Sequence, residues 1–273
     1  VFGAATYPLI STIVKSKPTN NFKIKGYTAN SIKNLSHEKM NNIEIDYEEC
    51  IINNRISIIE DENLNLLKII KNKSIPLSSI IKENIFCGTP RAKDYLEWKK
   101  GITNQKKPTN LKLYACSNLS PFIITHNKEI RTMKTKISKG YFNNENKLIS
   151  EKKWKNFCHK PKILIRGNDK RITAALDNEG SVFIGVYAII INSETKHLKN
   201  YLLALLNSSL TQWINIVQNP SIRIGGRFFS INAPHIKNLL FKEPNSKQLT
   251  KINLLVDNFQ NDPQVYEKKI NQE

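Results

Sequence analysis

The chain has 273 residues, of which 40% are hydrophobic, so it can bury the core of one large or two small globular domains. Lys and Arg number 42 against 23 Asp and Glu, and the resulting formal charge of +19 favours a polyanionic partner. No apolar run approaches the roughly 20 residues of a membrane-spanning helix, which excludes an integral helical membrane protein. We therefore expect no membrane partner. AT-rich coding DNA also enriches Lys, Asn and Ile, so the charge alone leaves open a basic protein without a nucleic-acid partner.

The cysteines are widely scattered and form no Cys-x-x-Cys pair. Their spacing indicates neither a zinc ribbon nor a disulfide framework. It is typical of a reducing compartment, so we expect a cytoplasmic protein. The chain starts with Val1 and leads directly into a β-like run, and we therefore expect a fragment of a longer protein. The four positions are Cys50, Cys87, Cys116 and Cys158.

The first part of the chain predicts short, separate elements. Residues 7–15 are rich in β-branched side chains and predict a strand that needs partners elsewhere. Residues 43–47 alternate like a short exposed strand, and residues 63–71 have the apolar spacing of a short helix. Residues from Pro76 look like a new unit, so we place a domain boundary near Lys73.

The next stretch alternates strand-like runs with basic loops. Residues 94–101 predict one or two helical turns, and residues 111–116 and 121–126 predict strands. Residues 127–150 are basic and poorly periodic, which predicts a long exposed connection.

Residues 160–244 are the block around which the chain is organised. Apolar, β-rich runs at 162–166, 172–177 and 181–191 are separated by polar turns, as in a sheet of hairpins. From Leu198 to Val217 the apolar residues recur at helical spacing and predict one long leucine-rich helix, followed by an amphipathic helix over 247–259. The predicted fold class is α/β, of the α+β kind, with a mostly antiparallel sheet packed on the long helix.

The long helix contains two unusual features. Asn207, Ser208 and Ser209 are poor helix formers and predict either a close helix–sheet contact or a bend. The apolar stripe that includes Trp213 is interpreted as core, so we expect Trp213 to anchor the core rather than to stack on a base.

Basic side chains flank two turns of the block. Arg166, Lys170 and Arg171 surround the turn at Asn168-Asp169, and the tip of a two-stranded ribbon can enter the major groove, where Arg, Lys and Asn hydrogen-bond to base edges. These three basic residues are therefore candidate DNA contacts. The alternative is that they are solvated hairpin ends.

A second basic turn follows the helix. Arg223 and Arg227 bracket Gly225 and Gly226. Two glycines allow the backbone to approach a phosphate or a groove floor closely, so all four residues are candidate DNA contacts. The same alternative of a solvated turn applies here.

Known catalytic motifs are absent from the sequence. It contains no P-loop, GxGxxG, HExxH or GxSxG, and no Asn-Pro-Pro-Tyr or Asp-Pro-Pro-Tyr. Two carboxylate-lysine groups, Asp94 with Glu97 and Lys99 and Asp262 with Glu267 and Lys269, fit parts of a nuclease pattern but are interpreted as charged surface. The histidines at 126, 159 and 235 have no nucleophile nearby in sequence, although the first two could donate to a phosphate or a base edge.

The central block also resembles a known family. Residues 162–165, 171–177 and 201–210, followed by the Gly-Gly-Arg turn and a closing apolar run at 239–241, resemble the TaqI-like C-terminal specificity domain. This is the target-recognition domain of adenine-specific DNA methyltransferases and of type IIG restriction-modification enzymes. Residues 5–15 resemble the last strand of the catalytic methyltransferase domain, and residues 85–90 resemble the Gly-Thr segment that opens the recognition domain.

The resemblance implies a division of the chain and of the chemistry. Residues 1–73 would be a remnant of the catalytic methyltransferase domain with a linker, 74–246 the target-recognition domain, and 247–273 a C-terminal helix and tail. S-adenosylmethionine and the catalytic residues would belong to the missing upstream domain, and this chain would bind double-stranded DNA. The alternatives are a magnesium-dependent restriction nuclease portion and a basic RNA-binding protein.

Overall fold

The computed structural model of the chain describes residues 22–28, 41–46, 51–52, 55–56, 61–82, 85–126, 128–132, 135–219, 223–224 and 228–259. Its strands are β1 Lys23–Thr28, β2 Asn41–Asp46, β3 Ile51–Ile52, β4 Arg55–Ile56, β5 Ile75–Pro76, β6 Ile85–Cys87, β7 Ile102–Thr103, β8 Leu111–Ala115, β9 Leu119–Ser120, β10 Ile123–Ile124, β11 Ile130–Thr132, β12 Thr135–Ile137, β13 Tyr141–Phe142, β14 Lys162–Arg166, β15 Asn168–Asp169, β16 Ala174–Asp177, β17 Val182–Ile184, β18 Val186–Ile190, β19 Arg223–Ile224, β20 Phe228–Ser230 and β21 Leu240–Phe241. Its α-helices are α1 Asp61–Asn72, α2 Ser78–Ile81, α3 Tyr95–Gly101, α4 Lys147–Ser150, α5 Lys152–Phe157, α6 Lys199–Asn207, α7 Ser209–Gln218, α8 Ala233–Lys237 and α9 Ser246–Asn258. Short 3-10 turns lie at Ala92–Asp94, Cys116–Asn118 and Lys196–Leu198.

Two four-stranded sheets carry the fold. The central sheet has the order β16-β14-β18-β6 and is antiparallel throughout. The second has the order β17-β8-β13-β7 and contains one parallel pair, β17 with β8. The prediction of a mixed α/β fold with mostly antiparallel pairing is therefore confirmed, whereas the remnant strand predicted at residues 7–15 lies outside the described residues.

The β-rich run predicted at residues 181–191 forms two strands that belong to different sheets. Gly185 lies between β17 and β18 with a φ of +68°, a conformation that L side chains rarely adopt. The backbone turns at this glycine, so the chain passes from the second sheet into the central one. Periodicity alone could not reveal this break, because both strands are apolar and buried.

The central sheet is buried on both faces. Ile163 and Ile165 of β14 join the cluster that contains the leucines of α6, whereas Leu164 joins a cluster of aromatic side chains around Trp98 and Trp154. These alternating contacts follow from the two-residue period of a strand. Complete burial of each such side chain contributes about 1.5–3 kcal/mol to stability.

The prediction of one long leucine-rich helix is wrong. The segment is two helices, α6 and α7, because Ser208 has an extended backbone with φ −69° and ψ 150°. Its Oγ accepts a hydrogen bond from the Thr211 N–H at 3.1 Å, so Ser208 is the N-cap of α7. The bend expected near residue 208 is confirmed.

The expected close helix–sheet contact is also found, at the residue before the bend. The buried side chain of Asn207 accepts from the Ala174 N–H at 3.0 Å and donates to the Ala174 carbonyl at 2.9 Å. Ala174 belongs to β16, one of the two edge strands of the central sheet. The Asn207 amide, together with the Phe122 N–H that donates to the same carbonyl at 2.9 Å, satisfies backbone groups that an edge would leave unpaired.

The prediction of a long exposed connection at residues 127–150 is wrong. This stretch contains the β11–β12 hairpin, β13 and α4, and the aromatic cluster buries five of its apolar side chains, Ile130, Ile137, Phe142, Leu148 and Ile149. Phe142 is part of the second sheet, and Gly140 packs closely against Leu113 of the same sheet. The helices predicted at residues 63–71, 94–101 and 247–259 are confirmed as α1, α3 and α9. In the described part of the chain, no helix has the length and apolar character that crossing a membrane requires.

Candidate nucleic-acid interface

A small three-stranded sheet joins two segments that the sequence singled out separately. β15, in the turn after β14, pairs antiparallel with β20, which pairs in turn with β19. Asn168 lies opposite Ser230, and Phe229 lies between Asp169 on one side and Arg223 on the other. The first basic turn and the two strands that flank the second basic turn are therefore joined in one sheet.

Asp169 holds the first turn together. Its Oδ2 accepts a hydrogen bond from the Thr173 hydroxyl at 2.6 Å and lies 2.9 Å from Nη1 of Arg166. Its Oδ1 accepts from the Lys170 N–H at 2.7 Å. One carboxylate thus fixes both ends of the turn and orients the Arg166 side chain, which is 27% exposed.

The predicted contact residues are placed as follows. Arg166 forms an ion pair with Asp169, Lys170 is exposed, and Arg171 is half-buried in the same turn. The backbone of Arg223 belongs to β19 in the three-stranded sheet. Gly225, Gly226 and Arg227 lie between β19 and β20, outside the described residues.

Sequence reasoning missed Phe228 and Ser230. Within β20, Phe228 and Ser230 are exposed whereas Phe229 is buried. The Nζ of Lys170 lies 5.9 Å from the centre of the Phe228 ring, which is within cation–π range. The two consecutive phenylalanines gave no sign of which one faces outward, and the pairing of β20 with β15 resolves it.

The first turn is hydrogen-bonded to helix α7 and to the residue that follows β20. The Ile172 N–H donates to Oε1 of Gln212 on α7 at 2.8 Å, next to the Asn207–Ala174 contact. At the start of the turn, the Ile231 N–H donates to the Gly167 carbonyl at 2.7 Å. A Cβ at Gly167 would lie 3.3 Å from the Gly185 carbonyl, so the close approach of these backbones favours glycine. Both ends of the turn are therefore tied to the rest of the domain by hydrogen bonds.

The geometry offers little for metal or nucleophilic chemistry. Among the described residues, no three His, Cys, Asp or Glu side chains are grouped so that they could hold a metal ion. Asp94 is paired with Arg91, and Glu97 lies 3.6 Å from both Lys100 and Lys147. The second carboxylate-lysine group, at residues 262–269, lies outside the described residues.

The histidines and Trp213 have structural contacts. His126 lies between the rings of Tyr114 and Tyr141, and its Nε2 is 2.7 Å from the Gly140 carbonyl. Burial lowers the pKa of His126, so the neutral ring donates this bond. His235 takes part in the N-terminal cap of α8, and His159 is exposed with a φ of +64°. The indole of Trp213 packs with the cluster around Leu67 and donates to Asn63 at 3.3 Å, which fits its predicted core role.

Comparison with known proteins identifies the domain that carries this sheet. The family model of the TaqI-like C-terminal specificity domain matches residues 123–239, a span that includes all three strands of the sheet and the α6–α7 pair. No curated protein matches the chain at a significant level. Residues 123–239 are a TaqI-like C-terminal specificity domain.

Proposed function

We propose that this chain is a sequence-specific DNA-recognition module and part of an adenine-N6 DNA methyltransferase of a restriction-modification or phage-defence system. The observation that carries the proposal is the specificity-domain match over residues 123–239, which contains both basic turns. The pairing of the first turn with the strands that flank the second supports it further, because a reader of a short DNA site needs its contacts on one surface.

Charge and shape support a duplex as the ligand. The formal charge of +19 favours binding to phosphates, and this contribution weakens as salt rises because counterions are released from DNA. A narrow antiparallel ribbon fits the major groove, where each base pair presents its own pattern of donors and acceptors. The turn held by Asp169 and strand β20 form such a ribbon.

The proposal assigns the chemistry to a separate domain. Residues 1–73 are proposed as the end of the catalytic methyltransferase domain with a linker, 74–246 as the recognition domain, and 247–273 as a C-terminal helix and tail. S-adenosylmethionine would bind the upstream domain, which would act on an adenine rotated out of the duplex. No residue of this chain is assigned to the cofactor or to catalysis.

The test is enrichment of duplexes from a random library by the full chain. We expect one short motif to be enriched, with an affinity that falls steeply with salt. Replacement of Lys170 by Ala should lower the salt slope by about one, whereas Lys153→Ala, at an exposed position on α5, should leave it unchanged. Absence of any enriched motif would overturn the proposal.

Two further arms separate the alternatives. A structured RNA that competes as well as the enriched duplex would favour an RNA-binding protein. Cleavage of the duplex in magnesium by the isolated chain would favour a nuclease. We expect weak competition by RNA and no cleavage.

A further inference from the structure

The outward face of β20 carries an exposed phenylalanine. Phe228 is 37% exposed, whereas the next residue, Phe229, is 7% exposed and belongs to the core. Because side chains alternate along a strand, Phe229 faces the core and Phe228 faces outward. Phe228 therefore contributes less buried area to the fold than Phe229 does. A single exposed aromatic side chain is common on protein surfaces, so its neighbours decide whether this face can recognise a ligand.

The neighbours of Phe228 on this face are hydrogen-bonding side chains. Ser230 is on the same face of β20, two residues along, and Asn168 lies directly opposite Ser230 on β15. Both are exposed. An asparagine amide can pair with adenine N6 and N7, a serine hydroxyl can donate to or accept from several base edges, and a phenylalanine can contact the methyl group of thymine.

We propose that Phe228 contacts the 5-methyl group of a thymine in the major groove, with Asn168 and Ser230 bonded to adjacent base edges. The inference rests on the proposed DNA-recognition function and names a contact for it. The Lys170 ammonium, 5.9 Å from the ring centre, covers one face of Phe228. The ring face that Lys170 covers is not free to stack on a base, which disfavours insertion between base pairs, and the ammonium can contact a nearby phosphate.

The test removes the methyl group and the ring separately. The enriched duplex is compared with a set of duplexes, in each of which one thymine of the motif is replaced by uracil. Uracil lacks only the methyl group. For the wild-type chain, one replacement should weaken binding about fourfold, the factor expected for loss of one buried methyl group. For Phe228→Ala, thymine and uracil duplexes should bind equally at that position, and Phe228→Leu should retain part of the difference.

The controls separate the contact from folding and from the parent proposal. Phe22→Ala removes another exposed phenylalanine, outside the specificity domain, and should keep the full uracil effect. Thermal unfolding of each variant checks the fold. A uracil effect that persists in Phe228→Ala, or that is missing at every thymine in the wild type, overturns the contact while motif enrichment still upholds the recognition function. Failure to enrich any motif overturns both. A wild-type-specific rise in 2-aminopurine fluorescence next to the site would indicate insertion and would also overturn the contact.

Discussion

The Lys162 ammonium lies 2.7 Å from the Asp177 carboxylate, Nζ to Oδ2, and the two side chains are 0% and 1% exposed. The residues are direct partners on β14 and β16 in the middle of the specificity domain. The Asp177 carboxylate also accepts from the backbone N–H groups of Glu179, Gly180 and Ser181 at 3.0, 3.2 and 2.8 Å. One buried carboxylate therefore compensates a buried lysine and shapes the turn that leads into β17.

Lys162→Met should lower the free energy of unfolding by about 3–5 kcal/mol, because it leaves the Asp177 charge buried without its counterion. Adding Asp177→Asn should recover part of the loss, since the amide oxygen still accepts from the turn. Urea unfolding measures both changes. The matched control is Lys112→Met, which breaks a more exposed pair with Glu179 and should cost no more than about 1 kcal/mol. Equal losses at the two lysines would contradict this role of the buried pair.

Asn207→Leu should destabilise the fold by about 1–3 kcal/mol, because the Ala174 N–H loses its partner inside the protein. Hydrogen exchange at the Ala174 amide should become faster relative to the rest of β16. The control is Asn258→Leu, where the lost bond is an exposed contact with the Leu254 carbonyl of the same helix. If unfolding and exchange in Asn207→Leu match those of the control, the amide does not protect the sheet edge.

Stability should fall as the pH drops below about 6.5 because of His126. Burial, the largest cause, lowers the pKa of His126 below the ordinary value of a histidine, and the bond to Gly140 opposes this only in part. The unfolded chain therefore binds the proton more tightly, so the stabilising contribution is present above the unfolded pKa and is lost as the pH falls through the folded pKa. The urea midpoint should therefore fall from the high-pH to the low-pH side of this window. The fall should be larger in the wild type than in His126→Gln. His197→Gln, at an exposed histidine, should behave like the wild type.

Local chemistry explains what the sequence could predict. The strands at β14 and β16 follow from their apolar runs and polar turns, and Ser208 is a good cap and a poor interior residue, so a bend near it was foreseeable. The single long helix was wrong because the apolar stripe continues through the cap with the same period.

Long-range pairing explains the rest. Nothing near Asn168 indicates that it lies opposite Ser230, and only that register shows that Phe228 faces outward. Residues 127–150 were misjudged because their buried apolar side chains are separated by basic ones that stay exposed in the β11–β12 hairpin. The matched family span covers the same region, but the predicted contacts within it await the tests above.

The central claim is that a turn organised by Asp169, together with β20, discriminates between duplex sequences. Asp169→Ala removes the partner of Thr173 and Arg166 and also removes a negative charge from the turn that we propose contacts DNA. The lost charge and the lost turn geometry should change duplex binding in opposite directions. Nonspecific attraction alone would tighten binding to every duplex, whereas loss of turn geometry would weaken only the specific complex. Thr173→Val loosens the same turn without changing charge, and Glu194→Ala removes a carboxylate from an exposed pair with Lys82 outside the sheet.

The deciding measurement is the ratio of the Kd for a scrambled duplex to the Kd for the enriched duplex, at fixed salt, in the wild type and in Asp169→Ala. The ratio should fall about tenfold in the variant, within the range for loss of one base-pair contact, while binding to the scrambled duplex stays equal or tightens. Thr173→Val should lower the ratio as well, and Glu194→Ala should leave it unchanged. An unchanged ratio in Asp169→Ala, with both duplexes bound more tightly by the same factor, would contradict the claim.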